Sequence, residues 1–532
     1  MRLTLQCECN GCGKSDTSRA DGLLYRLKTF IIAVYDQPFA FTEQQADIRE
    51  FVPQLFAGVR MLVHFMPSSS VVIVMLVVCF VMVLAFEATN GFHDSSNAVA
   101  TVIYTQSLKP VQAVVWSGLM NFVGVLVGGI AVAYALVEIL PPDVLTPPNG
   151  SPAVPMLVSI FLSALLWNVL TWAFAIPNSS SHCIIGALIG VASADAVLKS
   201  RDLRQGVDWQ QIIKVLEALA VSPVLGFVLA GGLYGLLRLV VRRGHLFEPP
   251  KEGQPPVWWL RGLLILTCTS VSFSHGTNDG QKSIGLIMLT IIGLLPASYA
   301  LNPEATNQLT QLGQRASAAL PLIQKYGDDV KDHALKAATA LQKAQSELET
   351  QASELKSGAS GQDGERATRS QLRGDIYEVV SQLKHVSEAK SASEQEKKQA
   401  ADLMKDMSEP VEYAPLWVRM LSALCLGIGT MVGYKRVVRT LGERLGKQHM
   451  TPGQGASAEL VGSILIGTAG FTGLPVSTTH IVTSGIAGTM AAGGQGVQGG
   501  MLLRIALTWL VTLPVTMAMS AGLFYVLANP RF

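Results

Sequence analysis

Long apolar runs are the feature that most limits how this chain can fold. Several of them approach or exceed the roughly 20 residues that cross a bilayer as a helix. They cover 71–86, 111–137, 155–176, 218–241, 258–273, 284–295, 416–432 and 501–527. A soluble domain buries one core under an alternating pattern, whereas here 49% of residues are hydrophobic and only 15% are charged. The sequence therefore predicts an all-α protein that spans a lipid bilayer many times.

Charge and cysteine content exclude several functions. The net charge of +2 gives no reason to expect a nucleic-acid partner. Cys7, Cys9 and Cys12 lie close together, but no fourth ligand is spaced to complete a metal site, so we read this segment as a terminal peptide.

The first apolar run begins near Val71, too late for a cleavable signal peptide. The sequence has no phosphate-binding loop of the ATPase type and no nucleophile–base arrangement, so we expect neither an enzyme nor a cofactor.

Two polar motifs each occur twice in the apolar background. The first reads GFHDSSNAVA at 91–100 and GTNDGQKSIG at 276–285, which aligns Asp94 with Asp279 at an offset of 185 residues. The second reads PNSSSH at 177–182 and PVSTTH at 475–480, which aligns His182 with His480 at an offset of 298 residues. Duplicated polar motifs in apolar surroundings are typical of secondary transporters built from two repeats. The sequence alone leaves open whether the repeats are inverted.

The two offsets differ by 113 residues, which predicts an insertion between the motifs of the second half. Apolar runs do stop between about 300 and 412, where Lys, Glu, Gln, Ser and Ala dominate. We interpret this stretch as a soluble helical insert, either inert or used for sensing or partner binding. The predicted division is an N-terminal peripheral extension (1–61), a first transmembrane repeat (62–243), a basic cytoplasmic loop (244–258), the start of the second repeat (259–299), the insert (300–412) and the rest of the second repeat (413–532).

Lysines and arginines in short loops predict the orientation in the membrane. One cluster falls between the halves and includes Arg238 and Arg261, and another includes Lys435 and Arg439. Short loops rich in Lys and Arg face the cytoplasm. Both clusters are therefore predicted to be cytoplasmic, which places the insert on the opposite side.

Asp94 and Asp279 are the strongest candidates for a functional site. A carboxylate within an apolar span is costly and is rarely present without a function. Each lies among glycines and small residues, a composition that suits a broken helix whose backbone lines a cavity. Such a site can bind a cation, whereas the alternative is a pair of aspartates that only hydrogen bond between helices.

The second motif provides a run of hydroxyl groups that begins two residues after a proline. Hydroxyls and free backbone N–H groups at a helix N-terminus bind oxyanions, and the helix dipole favours negative charge there. Simple helix capping is the alternative. Because the motif occurs twice, we predict an anion site made of Ser179, Ser180, Ser181, Ser477, Thr478 and Thr479.

These motifs resemble the duplicated signature of the inorganic phosphate transporter (Pit) family. The matching segments are EATNGFHDSSNAVATVIYT at 87–105, SHGTNDGQKSIG at 274–285 and the PVSTTH segment. The chain is most similar to the bacterial low-affinity type, which also carries an inserted segment, and the resemblance extends from about residue 62 to the C-terminus. It implies about ten to twelve spans in two inverted repeats with re-entrant hairpins, in a protein that is often a homodimer.

The resemblance also implies a function and its residues. Members of this type take up inorganic phosphate with protons, largely as neutral complexes with divalent metal ions, across the bacterial inner membrane. Phosphate is expected at the hydroxyl-rich turns, and the coupling cation or proton at Asp94, Asn97, Asn278 and Asp279.

Two departures from the sodium-coupled pattern bear on the coupling ion. This chain has His93 before the first aspartate and Lys282 where an asparagine would stand. Histidine exchanges protons near neutral pH, and a lysine ammonium can occupy a cation position. The eukaryotic branch of the family also uses a glutamate in the span after the first motif, where this chain has the uncharged Asn121. Glu87 is a further candidate, either as a proton relay or as a partner of Lys282. The remaining histidines give no clear signal.

The prediction is therefore a phosphate:proton symporter that has lost at least one sodium site. Three other functions stay open from the sequence. They are a sodium-coupled phosphate symporter, a transporter of a related oxyanion such as sulfate, and a membrane receptor that senses phosphate without moving it.

Overall fold

The structure is a computed structural model of the 532-residue chain. It describes residues 70–140, 144, 153–203, 209–241, 244–250, 254–295, 301–302, 305–327, 331–344, 348–350, 353, 363–440, 442, 445–494 and 496–529. The predicted N-terminal extension, with Cys7, Cys9 and Cys12, lies outside the described residues.

Helices make up nearly all of the described part of the first half. In chain order they are α1 (Ser70–Tyr104), α2 (Pro110–Val127), α3 (Ala131–Val137), α4 (Val154–Ala173), α5 (Ser180–Leu198), α6 (Trp209–Val240) and a short 3-10 helix (Gly244–Leu246).

The second half begins with the long α7 (Trp258–Leu294) and continues after the insert. The insert contributes α8 (Thr306–Thr310), α9 (Leu312–Tyr326), α10 (Lys331–Lys343), α11 (Asp363–Glu388) and α12 (Glu394–Ser408). The chain then forms α13 (Leu416–Met431), α14 (Lys435–Arg439), α15 (Pro452–Thr472), α16 (Thr478–Ala492) and α17 (Gly499–Ala528). Within the described residues the only β pairing is one isolated bridge between Gly446 and Val497.

The prediction of an all-α, multi-pass membrane protein is confirmed. Six of the described helices are long and apolar enough to cross a membrane: α1, α2, α4, α5, α6 and α17. Their outward faces expose large apolar side chains such as Leu239 (80% exposed) and Leu510 (72%), as expected for a surface covered by lipid. Six is fewer than the ten to twelve spans implied by the resemblance. Polar residues of the interior lower the hydropathy of α7 and α15, and α13 is a shorter apolar helix.

One structural prediction is wrong: the helices that carry Asp94 and Asp279 are not broken. Both α1 and α7 continue without interruption through their aspartates. The small residues serve close helix packing instead. A Cβ added at Gly91 would lie 2.7 Å from the carbonyl oxygen of Leu426, and one added at Gly276 would lie 2.3 Å from that of Asn121.

The interruptions fall at the hydroxyl motifs, inside two helix–turn–helix pairs. α4 and α5 are joined by a turn that contains Pro177, and α15 and α16 by one that contains Pro475. In each pair the proline, the residues that follow it in the turn and the start of the following helix are buried. Buried non-helical backbone is tolerated in a membrane protein where protein groups or a polar cavity satisfy it. The proposal that the two halves are inverted repeats stays a prediction.

The helices between residues 301 and 411 share a hydrophobic core of their own. This core contains Leu312, Ile323, Leu341, Ile376 and Leu383, all fully buried. The ends of the segment meet, because the N–H of Asn302 donates to the carbonyl oxygen of Pro410 at 2.7 Å. The segment therefore leaves and rejoins the membrane helices at one place.

Candidate functional site

The two predicted aspartates and the two hydroxyl turns converge on one buried cluster. Asp94 Oδ2 accepts a hydrogen bond from Ser180 at 2.8 Å, and Asp94 Oδ1 accepts one from the Thr479 hydroxyl of the other half. Asp279 Oδ1 accepts one from Thr478 at 3.1 Å. All of these side chains are buried. The four elements that sequence analysis singled out, α1, α7 and the starts of α5 and α16, therefore form one polar centre.

The first hydroxyl of each turn has a different task from those that follow. Ser179 is the N-cap of α5 and accepts from the N–H of His182, and Ser477 is the N-cap of α16 and accepts from the N–H of His480. Both residues therefore cap their helices, and anion binding by them stays a prediction. A helix N-terminus leaves its first N–H groups without partners in the helix and carries a partial positive charge. The two caps thus direct the N-termini of α5 and α16 toward the same buried centre.

Lys282 introduces a positive charge into the centre. Its ammonium donates to Asp279 Oδ1 at 2.7 Å, to the hydroxyl of Ser181, and to the carbonyl oxygen of Val476 at 3.1 Å. The side chain is 1% exposed. Its ion-pair partner is Asp279, not Glu87 as one reading of the sequence suggested.

His275 also belongs to the centre, and its neighbours fix its tautomer. The Thr430 hydroxyl donates its one hydrogen to the carbonyl oxygen of Leu426. Toward Asn121 it can therefore only accept, and Nδ2 of Asn121 donates to it at 2.9 Å. Asn121 Oδ1 must then accept from His275 Nδ1, at 2.9 Å. In the neutral ring this leaves a lone pair on Nε2, which faces Asp279 Oδ2 at 3.4 Å.

Nε2 of His275 and Oδ2 of Asp279 are both buried and have no hydrogen-bond partner among the described residues. Two facing acceptors repel each other unless a positive charge lies between them. One ligand atom from each of Asp94, His275 and Asp279 lies within 4.8 Å of the others. The cluster is therefore arranged around a place that favours a proton or another cation.

Asn97 connects the first aspartate to the second hydroxyl turn. Its Nδ2 donates to the backbone carbonyl of Asp94 at 2.8 Å and to the Thr479 hydroxyl at 3.1 Å. Thr483 donates to Asn97 Oδ1 at 3.4 Å. The predicted site residue therefore lies in the centre, where it positions the hydroxyl that binds Asp94.

The hydrogen bonds of three other predicted residues go to groups other than the two aspartate carboxylates. His93 Nε2 donates to the carbonyl of Asn168 at 3.0 Å, and Asn278 donates to the carbonyl of Leu474 at 3.1 Å. Both contacts tie an aspartate helix to a helix–turn–helix pair. Glu87 Oε2 accepts from Asn90 at 3.3 Å, about two turns before Asp94 on α1.

Sequence reasoning missed His275, although a signal was present. His275 lies four residues before Asp279, a spacing that puts both side chains on one face of α7. Its partner Asn121 was noted only as an uncharged residue. The contact between them joins α2 to α7 across 154 residues, and no local pattern predicts such a pairing.

Comparison with known proteins identifies relatives of this chain. A family model described as "Phosphate transporter family" matches residues 90–520. The "Low-affinity inorganic phosphate transporter PitA" of Escherichia coli (strain K12) is 37% identical over 479 residues, covering 85% of this chain and 96% of that protein. PitB of the same strain is 36% identical over 486 residues, with the same two coverages. A solved structure, "The sodium-dependent phosphate transporter", has 17% sequence identity and a TM-score of 0.48, and the match covers 86% of this chain and 99% of that one.

Proposed function

The chain belongs to the phosphate transporter family, and from that premise we propose that it imports inorganic phosphate across a bacterial inner membrane by proton symport. In this proposal the hydroxyl turns at the starts of α5 and α16 bind the phosphate. The aspartate pair and His275 bind the coupling proton.

The observation that carries the proposal is the convergence of two helix N-termini on two buried carboxylates. Hydroxyls and N–H groups at helix N-termini are suited to a tetrahedral oxyanion. The hydroxyls of Ser180, Thr478 and Thr479 now donate to Asp94 and Asp279. A phosphate that takes these donors leaves the carboxylates without them, which raises the cost of their negative charge. Binding of a cation or proton at the aspartates is then coupled to binding of the anion.

A proton fits the gap between His275 Nε2 and Asp279 Oδ2. One proton placed there converts two facing acceptors into an imidazolium–carboxylate pair, a charge-assisted hydrogen bond. The Asn121 and Thr430 contacts already fix Nδ1 as the other donor, so the ring need not flip when the proton arrives. These contacts support proton coupling over coupling to a larger ion at this position.

The charge of the centre favours a neutral form of the substrate. Two carboxylates and one ammonium, from Asp94, Asp279 and Lys282, leave a net charge of −1 when His275 is neutral. A phosphate dianion that binds before the coupling proton would be repelled by that charge. A neutral complex of phosphate with a divalent metal ion would not, so we propose this complex as the transported species and Mg²⁺ as a suitable ion.

Radiolabelled phosphate uptake into proteoliposomes tests the proposal. We expect uptake driven by an imposed pH gradient in sodium-free buffer, stimulated by Mg²⁺ and reduced when EDTA removes it. Asp94→Asn, Asp279→Asn and His275→Gln should each lower the initial rate at least about 100-fold, because a residue that holds the coupling proton contributes roughly 2–3 kcal/mol or more.

Asp402→Asn and His333→Gln are matched controls, since both residues are exposed in the insert. They should transport at the wild-type rate. Uptake by the wild type that requires sodium would replace the proton with sodium as the coupling ion. Absence of uptake under either gradient, from folded and inserted protein, would contradict transport and favour a phosphate receptor.

A further inference from the structure

Position 282 is where the two copies of the aspartate motif differ in charge. The offset that aligns Asp94 with Asp279 also aligns Asn97 with Lys282, and the offset of the second motif aligns Ser181 with Thr479. One half therefore has a neutral amide where the other has an ammonium. Both side chains are buried, so the additional charge must be compensated locally.

In the first half the hydroxyl of the opposite turn contacts the carboxylate directly. Asn97 donates to Thr479 at 3.1 Å, and Thr479 in turn donates to Asp94. Nothing positively charged stands between that hydroxyl and that carboxylate.

In the second half an ammonium stands between the equivalent groups. Lys282 donates both to Ser181 and to Asp279, whereas Ser181 donates to the carbonyl oxygen of Val476 at 2.8 Å instead of to Asp279. Lys282 thus bridges a hydroxyl and a carboxylate that would otherwise meet as they do in the first half.

The oxygens around this ammonium form a complete set. An ammonium has three N–H donors, and Lys282 has three acceptors: a carboxylate oxygen of Asp279, the hydroxyl of Ser181 and the carbonyl of Val476. These are the same classes of oxygen ligand that bind a small hard cation in proteins. They come from α7 and from both hydroxyl turns, so the ammonium joins the two halves.

We propose that Lys282 is a tethered cation that takes the place of one coupling ion, so that the second half of the site works without sodium. The inference rests on the proposed function and deepens it. The fixed charge neutralises Asp279 Oδ1 throughout the cycle, and only Oδ2 and the Asp94 carboxylate remain for an exchangeable cation. Because Ser181 is also one of the candidate phosphate ligands, the same ammonium lies beside the anion site.

Lys282→Asn tests the inference, because it removes the ammonium and supplies an amide oxygen, a class of ligand that a small hard cation binds. We expect phosphate uptake by this variant to fall at least tenfold in sodium-free buffer and to recover when NaCl, but not KCl or choline chloride, is added. Wild-type uptake should not respond to NaCl. Sodium should also raise the melting temperature of the variant and leave that of the wild type unchanged, a readout that needs no transport.

Lys282→Met is the matched control, because it keeps the side-chain length but has neither a charge nor an oxygen. It should lose uptake, and sodium should restore neither uptake nor stability. If the Asn variant does not purify as a folded protein, Lys282→Gln replaces it with the same expectations. A folded Asn or Gln variant that ignores sodium in both readouts, whether active or inactive, would overturn the role of Lys282. Absence of uptake by the wild type would instead overturn the proposed function.

Discussion

At the scale of single residues, two glycines decide where the polar groups of the centre lie. A Cβ at Gly124 would meet the carbonyl oxygen of Phe273 at 2.3 Å, and a Cβ at Gly276 would meet that of Asn121 at the same distance. Real Cβ atoms do not approach backbone oxygens so closely, so α2 and α7 can touch along their backbones only because both positions lack a side chain. This contact places Asn121 against His275.

Gly276→Ala should therefore damage both stability and transport. The methyl group would push α2 away from α7 at a cost of about 1–3 kcal/mol, as for other overpacked sites, and would break the bond between Asn121 and His275. We expect a lower melting temperature and a large loss of proton-driven uptake. Gly262→Ala is the control on the same helix, because a Cβ there meets nothing within 4 Å. Wild-type stability and uptake in the Gly276 variant would contradict this packing role.

The residues of the centre were predictable to different degrees. Asp94, Asp279 and the hydroxyls of both turns could be found because each motif occurs twice and because charge is costly within a span. The contacts between them could not, since Thr479 meets Asp94 across 385 residues. The sequence also could not predict that α1 and α7 are unbroken. Glycines near a carboxylate fit an unwound helix and a tightly packed helix equally well, and the two cases differ only in whether another helix packs against the glycines.

At the scale of elements, the end of the insert contains a partly buried titratable group outside the spans. Burial, together with the nearby negative charge of Glu138, raises the pKa of Glu412 to about 7. The hydrogen bond from Ser408 and the positive charges of Arg373 and Lys384 oppose this rise without cancelling it. Glu412 stands between the last helix of the insert and the start of α13, so its protonation acts on that junction.

The raised pKa gives the junction a defined pH dependence. The folded protein binds this proton more tightly than the unfolded chain, so the stabilisation is complete below the ordinary glutamate pKa of about 4.5 and is lost as pH rises through about 7. We expect the melting temperature to fall by a few degrees between pH 5 and pH 8, and Glu412→Gln to make that fall smaller. Glu409→Gln, at an exposed position three residues earlier, should keep it. An unchanged pH profile in the Glu412 variant would rule out this group as the source.

At the scale of the whole molecule, the basic segments and the insert lie at opposite ends of the long helix α7. One hydrophobic cluster joins Leu246 of the first basic loop to Val437 and Val438 of the second, and it also contains Leu260 at the start of α7. The insert follows the other end of α7, after Leu294. Because basic loops face the cytoplasm, this arrangement supports the predicted orientation with the insert outside.

The insert contacts the membrane helices through a buried hydrogen bond between Arg373 and Tyr134 and through polar contacts nearer the surface. Lys384 donates to Glu138 at 2.6 Å and to Gln211 at 3.0 Å, and Lys214 forms an ion pair with Glu388. These groups are partly exposed, and ion pairs of this kind contribute roughly 1 kcal/mol or less each. None of the residues of the polar centre belongs to the insert.

We therefore expect the insert to be removable without loss of transport. Its ends already meet through the bond between Asn302 and Pro410, so a linker of about four Gly and Ser residues can replace 303–409 without pulling α7 away from α13. The contact between Tyr134 and the backbone of Tyr413 would remain. Proton-driven phosphate uptake by the shortened protein should stay within about threefold of the wild type, a change of roughly 0.7 kcal/mol.

Full-length protein with Lys214→Glu and Lys384→Glu is the companion variant, because it keeps the insert but weakens its docking. If the insert is inert, both variants transport like the wild type. If both are folded and inserted yet lose uptake, docking of the insert is part of the transport cycle, and the sensing role that the sequence left open becomes the better account. Loss in the shortened protein alone would mean that the insert acts through a group of its own rather than through its position.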